Sequence, residues 1–365
     1  MKIMITGNMG YVGPSVVHQL RASYPDALLI GLDMGYFSHC LSNVQILPEC
    51  RLDLQYFADV RKVSKHLLSG VDAVVHLAAI SNDPMGKAHE EVTREVNYRA
   101  SIELARRAKE AGARAFVLSS SCSVYGFAES GPRTEKSAVN PLTPYAESKV
   151  LAERDLAHLA DERFKVTCLR FGTACGMSER LRLDLVLNDF VAGAVASKRI
   201  TVLSDGSPWR PLIHIRDMAR AIDWAIGRDV TAGGEFLVVN TGCEGWNYQV
   251  RDLAHAVARV IPAVEVSINK NAQPDKRSYK VDFSLYRSLA PDHQPKASLL
   301  ATIAELQDGL KAMKFRDPHF RNSSFVRLRV LTDLRDKGLL TDQLEWANRN
   351  QRHREQPPVQ ELVQH

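Results

Sequence analysis

Apolar and polar positions along this chain switch repeatedly between two periods. Short β-rich apolar runs stand at residues 2–6 (KIMIT), 28–32 (LLIGL), 73–77 (AVVHL), 115–119 (AFVLS) and 164–170 (FKVTCLR), and they predict strands. Between them lie an amphipathic stretch near 60–68, before the third strand, and helical stretches at 13–23, over 91–111 with a stop at Gly112, and over 143–159. Pro144 falls in the first turn of the last one, where its missing N–H is tolerated. Alternation of this kind predicts a parallel sheet with helices on both faces and right-handed crossovers. The expected fold class is α/β, a Rossmann-type doubly wound sheet whose ligands bind where the strands end.

The second half is less regular. Residues 183–196, 217–226 and 324–335 have the helical pattern, and 199–203 (RITVL), 211–215 (PLIHI) and 235–240 (EFLVVN) read as strands. The expected organisation is a first domain over 1–175, with 211–245 partly returning to its sheet. A smaller C-terminal substrate-binding lobe follows over 176–315, then a C-terminal helix and polar tail over 316–365. No internal repeat is visible, and the run from Asn348 (NRNQRHREQPP) has the composition of a frayed end.

Composition narrows the class. The chain has 365 residues, 45% hydrophobic, with 47 Lys and Arg against 42 Asp and Glu, a net charge of +5. The basic residues are spread along the chain, so no nucleic-acid stripe is expected, and a mildly basic protein with an anionic small-molecule substrate is the simpler account. No apolar run approaches the ~18 residues of a membrane span. The sequence MKIMITG enters a strand at once, leaving no room for a signal peptide. The six cysteines have no metal-ligand spacing, so no metal site is expected, and free thiols fit a cytoplasmic protein.

The first strand runs into Gly7-Asn8-Met9-Gly10-Tyr11-Val12-Gly13 and then a helix. Glycine admits positive φ and close backbone approach, and a helix N-terminus directs N–H groups at a phosphate. Strand, glycine loop and helix in that order form a dinucleotide site. Asp33 ends the second strand, placed to accept from the adenosine ribose hydroxyls and to repel a 2′-phosphate. No Arg or Lys occupies 34–38, so the reading is NAD and not NADP.

Tyr145 and Lys149 stand at i and i+4 and share a helical face. An ammonium beside a phenol should lower its pKa, as should the positive nicotinamide ring, so that the phenol can exchange a hydroxyl proton. The serines at 119–121 follow the fourth strand, at the same end of the sheet. A hydroxyl there can hold the reacting oxygen against Tyr145. The candidate catalytic group is Ser121, Tyr145 and Lys149.

These residues, with TGNMGYVG (6–13), DV (59–60), HLAA (76–79), SSSCSVYG (119–126), PYAESK (144–149), LRFGTACG (169–176) and RPLIHIRDMARAI (210–222), resemble the extended short-chain dehydrogenase/reductase family, specifically its nucleotide-sugar epimerase/dehydratase group. The resemblance implies that Asp59 and Val60 flank the adenine, that Leu77, Ala78 and Ala79 back the cofactor, and that Phe171 lies by the nicotinamide or the substrate phosphates. It makes Arg210 and Arg277 candidate diphosphate clamps, since a planar guanidinium grips phosphate oxygens in pairs. Ser81, Asn82, Ser123 and Thr173 become candidate substrate contacts, Thr173 replacing the family's usual Asn. Members that dehydrate or decarboxylate carry an acid two positions after the catalytic Ser or Thr; here that residue is Ser123. Cys122 is an acid/base candidate only if its thiol is tuned, and otherwise a small packing residue. The expected function is an NAD-dependent nucleotide-sugar epimerase, most simply at C4. The alternatives are a 4-keto-sugar reductase or another dehydrogenase of this family acting on a small alcohol, or a binding module, which would be expected to lack the Tyr or Lys kept here. The resemblance also implies a homodimer through helices near 92–111 and 143–160.

Overall fold

The computed structural model describes residues 1–272 and 277–347. In chain order its strands are β1 (Lys2–Thr6), β2 (Leu28–Asp33), β3 (Leu54–Phe57), β4 (Ala73–His76), β5 (Ala115–Ser121), β6 (Phe127–Arg133), β7 (Lys165–Phe171), β8 (Thr173–Cys175), β9 (Arg199–Val202), β10 (Trp209–His214), β11 (Phe236–Thr241), β12 (Asn247–Gln249), β13 (Glu265–Ile268) and β14 (Ser278–Val281). The α-helices are α1 (Gly13–Ser23), α2 (Asp83–Ala88), α3 (Glu90–Arg94), α4 (Ala100–Glu110), α5 (Pro144–Leu156), α6 (Val186–Ser197), α7 (Ile215–Gly227), α8 (Val250–Val260), α9 (Ser284–Leu289), α10 (Leu299–Ala312) and α11 (Arg327–Asp336).

Seven of the strands form one parallel sheet in the order β11-β7-β5-β4-β1-β2-β3. This is the doubly wound Rossmann-type architecture. Its central strands are apolar on both faces because both faces are covered. In β1, Ile3 and Ile5 face the core that holds α1 and α7, while Met4 faces the core that holds α4 and α5. The chain direction reverses its winding beside β1, so the carboxyl ends of β1, β2, β4 and β5 converge on one crevice.

The strand at 236–241 sits at the sheet's edge, paired in register with β7, although the chain between them builds much of the second lobe. That lobe combines β8-β10-β12 and β9-β13 with α6, α8 and α10. A further pair, β6-β14, joins a segment after β5 to one beyond residue 276.

The amphipathic stretch near 60–68 forms two single 3₁₀ turns, Val60–Lys62 and Lys65–Leu68, with Val63 and Ser64 extended between them. One reading of the pattern is refined. The helix expected over 91–111 includes a π-turn at Glu95–Arg99, which swings Asn97 inward. The Asn97 side chain then pairs with both the N–H and the C=O of Ile80 (2.8 and 3.0 Å) and reaches Ser148 Oγ at 3.2 Å. A π-bulge of this kind marks a functional region often enough to direct attention there. The polar run from Asn348 lies outside the described residues.

Candidate active site

The glycine loop is built for a close-lying ligand. Gly7 has φ of +74°, and a Cβ there would come within 2.5 Å of the Ala78 backbone nitrogen. A Cβ at Gly13 would meet Asn8 O at 1.9 Å. No side chain caps the start of α1, so its first N–H groups face the cavity without an acceptor from a capping residue. Asp33 lies beside the loop, its carboxylate accepting from Met9 N (3.0 Å) and Gly35 N (2.8 Å). These features fit a dinucleotide: a helix N-terminus for the diphosphate and an acceptor for the ribose.

A single cavity of ≈ 650 Å³ runs from this loop to the second lobe. Gly7, Gly10, Tyr11, Val12, Gly13 and Asp33 line one end, with Asp59 and Val60 beyond them. Leu77, Ala78, Ala79 and Phe171 line its floor. Met9 does not line it: its side chain is buried in the core, and only its N–H serves the site, by holding Asp33. Asp59 is gripped by Arg61 through Nε and Nη2 (2.9 and 2.6 Å), so its charge is already matched.

Ser121, Tyr145 and Lys149 meet at the middle of this cavity. Ser121 ends β5 and caps the following turn, its hydroxyl oxygen accepting from Ser123 N at 3.1 Å. Tyr145 stands in the first turn of α5, whose N-cap is Thr143. One turn on, Lys149 Nζ lies 5.8 Å from the Tyr145 ring centroid and donates to Ser119 O at 2.8 Å. The Ser121 hydroxyl stands near the Tyr145 phenol and both line the cavity.

The electrostatics depart from the simple expectation. Burial pushes the Tyr145 phenol up to about 12, and the nearby Ser121 hydroxyl offsets only part of this. Burial also pulls the Lys149 ammonium down to about 8. Desolvation therefore outweighs the help that the lysine was expected to give the phenolate, and further positive charge beside the ring is needed to bring the phenol toward neutrality.

Cys122, a candidate from the sequence, is corrected. It is fully buried off the cavity, its Sγ pointing at Arg170 O (3.1 Å), and burial raises its thiol pKa far above the ordinary value. A thiol so placed packs the loop and does not exchange protons with a substrate. Ser123 does line the cavity, as do Thr173, Arg210 and Arg277.

Sequence reasoning missed several groups here. Arg182 and Asp184 form a buried ion pair in the cavity wall (2.9 Å). Arg182 donates to Ser81 Oγ (2.9 Å), and Asn82 Nδ2 donates to Asp184 (2.7 Å). Asp83, at the start of α2, accepts from Thr143 (2.7 Å) and pairs with Arg277 across the cleft (2.7 Å). The RLRLD run at 180–184 alternates polar and apolar residues, yet it folds as a loop, and only its tertiary contacts bring Arg182 and Asp184 to the cavity.

The profile of a known family covers residues 3–242, described as the NAD dependent epimerase/dehydratase family. The chain belongs to that family. It is an NAD-dependent enzyme of the extended short-chain dehydrogenase/reductase type, and NAD is its cofactor. Among its relatives, the UDP-glucose 4-epimerase of Lactobacillus helveticus is 32% identical over 234 residues, 61% of this chain and 69% of that one. A UDP-glucuronic acid decarboxylase of Arabidopsis thaliana is 25% identical over 308 residues, 82% of this chain and 85% of that one. The structure of the UDP-glucuronic acid 4-epimerase of Bacillus cereus with NAD superposes with a TM-score of 0.71 at 23% identity, covering 85% of this chain and 96% of that one. At that identity the superposition speaks for the fold.

Proposed function

We propose that this member of the NAD dependent epimerase/dehydratase family is a nucleotide-sugar epimerase acting at C4. The observation that carries the reading is the set of groups around Tyr145: Ser121 beside it in the cavity wall, Lys149 one turn away, and Ser123 where elimination would need an acid. NAD bound in the crevice supplies the acceptor, and then the donor, of a hydride. Tyr145 takes the proton of the sugar 4-hydroxyl and later returns it. Ser121 holds the reacting oxygen, and Lys149 keeps positive charge beside the phenolate. The carboxylate of Asp83, which Tyr145 feels, is already engaged by Arg277 and Thr143 and is a poor base for elimination.

Arg210 and Arg277 lie at the far end of the cavity, where a diphosphate would join the sugar to its nucleotide. Ser81, Asn82 and Thr173 line the same cavity and would serve as sugar contacts. We place the enzyme in the cytoplasm, supported by six cysteines that are all free thiols. We further propose a homodimer paired through the helices over 92–111 and 143–160.

The test is a panel of UDP- and dTDP-hexoses, uronates and 4-ketohexoses, read by mass and NMR. Interconversion of C4 epimers with no net change in nicotinamide absorbance supports the proposal. Consumption of NADH with a 4-keto sugar would identify a reductase, and a mass loss of water or carbon dioxide would identify elimination or decarboxylation.

A further inference from the structure

The last described segment of the chain, beyond the residues matched by the family profile, folds back over the cofactor end of the cavity. After α11, Gly338 takes a φ of +62° and the chain returns as a short hairpin bridged between Leu340 and Trp346. This hairpin lies against the loop that follows β2. Trp346 Nε1 donates to Met34 O at 2.7 Å, and Tyr36 donates its hydroxyl proton to Leu344 O. From the other side Arg61 donates to Gln343 O at 3.0 Å, and Lys62 pairs with Glu345 at 2.8 Å.

Tyr36 joins these parts. Its phenol feels the charges of Asp33 and Asp59, the carboxylates at the ends of β2 and β3, so it stands between them over the adenosine end of the crevice. Its ring lies 5.6 Å from that of Trp346. Beneath it, Leu331, Leu340 and Leu344 pack with Ile80, Met85 and Val92, which belong to the first domain. Leu331 and Leu344 line the same cavity as the glycine loop.

Charge supports the same assignment. Three buried guanidinium groups stand together behind this wall. Arg180 pairs with Glu49 (2.8 Å) and Arg182 with Asp184 (2.9 Å). Arg327, the first residue of α11, donates to the backbone oxygens of Ser324 and Arg180, stacks over Phe37 at 4.7 Å, and leaves its buried Nε without a hydrogen-bond partner among the described residues. Arg327 lines the cavity and has no carboxylate in ion-pair range among the described residues. Three buried guanidinium groups thus stand against two paired carboxylates, Glu49 and Asp184, and the diphosphate of a dinucleotide is an anion of the right kind to offset the excess charge.

The geometry points to segment 320–347 as a built-in clasp of the dinucleotide site, which closes the adenosine end and slows cofactor release. The inference rests on the NAD site described above and deepens the epimerase reading, because an enzyme that regenerates NAD in each cycle gains from never releasing it. A reductase, which must exchange its nicotinamide each turnover, would be hindered by such a clasp.

The test is the rate at which the purified holoenzyme releases NAD, measured by dilution into excess isotopically labelled NAD; it needs no sugar substrate. Two full-length variants are compared with the parent. Leu344→Asp puts a carboxylate into the apolar cluster, and Tyr36→Phe with Trp346→Ala breaks the clasp at its rim with little effect on the core. The expected result is slow release from the parent and release faster by about tenfold or more from the rim variant, with activity restored by added NAD. Unchanged release from the rim variant, or rapid release from the parent, would overturn the clasp. A chain that retains NAD through the clasp but interconverts no sugar would leave the clasp standing and sink the epimerase reading.

Discussion

Replacing Lys149 by Met should make this protein less active and more stable at once. The ammonium lies 5.8 Å from the Tyr145 ring centroid. With an effective dielectric constant of about 20, its attraction for a phenolate at that distance is about 3 kcal/mol, or about 2 pK units. Turnover at neutral pH should therefore fall by about a hundredfold, and the limb of the pH–rate profile that reports Tyr145 should move to higher pH. Stability goes the other way. Burial holds the Lys149 pKa at about 8 against 10.5 when exposed, so the folded state bears the full cost of the buried ammonium below pH 8. That cost is about 3 kcal/mol, and it fades as the pH rises from about 8 toward 10.5, where the unfolded chain binds the extra proton. The Met variant avoids it but leaves Ser119 O without its partner, a loss of about 1 kcal/mol. A net gain of about 2 kcal/mol at pH 7 should appear as a higher urea midpoint, shrinking toward pH 10. A variant that is both as active as the parent and less stable would refute the reasoning.

Tyr145→Phe should reduce turnover by about a thousandfold or more while NAD stays bound, since the phenol moves protons and is not the main hold on the cofactor; retained activity would remove it from the mechanism. Asp33→Ala should relax the preference for NAD over NADP, read as a ratio of dissociation constants, and an unchanged ratio would show that the carboxylate does not meet the ribose. Cys122→Ser should keep activity within about tenfold of the parent, because the buried thiol only contacts Arg170 O; complete loss with an intact fold would restore Cys122 to the chemistry.

Much of the fold and part of the site could be read from local order in the chain. The strand, glycine loop and helix at residues 2–23 are contiguous, so backbone chemistry and spacing alone specify them. The i, i+4 relation of Tyr145 and Lys149 is likewise a property of one helix. Asp33 follows from the end of a single strand.

Other features depended on residues far apart in sequence. The sequence placed a phenol beside an ammonium, but the sign of the phenol's pKa shift was decided by desolvation, which depends on everything that surrounds it. Position in the loop left Cys122 readable either as an acid/base or as a packing residue, and the fold decided for packing by turning its sulfur toward Arg170 O, away from the cavity. Nothing in the local pattern marked Arg182, Asp184 and Arg327 as site residues; they became part of the site because α11 and the loop before α6 fold across the crevice. The sequence by itself determined the sheet, the cofactor loop and the catalytic pair, since each arises from short-range periodicity and backbone geometry. Only tertiary packing decided which charges are buried, which are paired and how the crevice is closed, because burial and pairing are properties of contacts between distant segments.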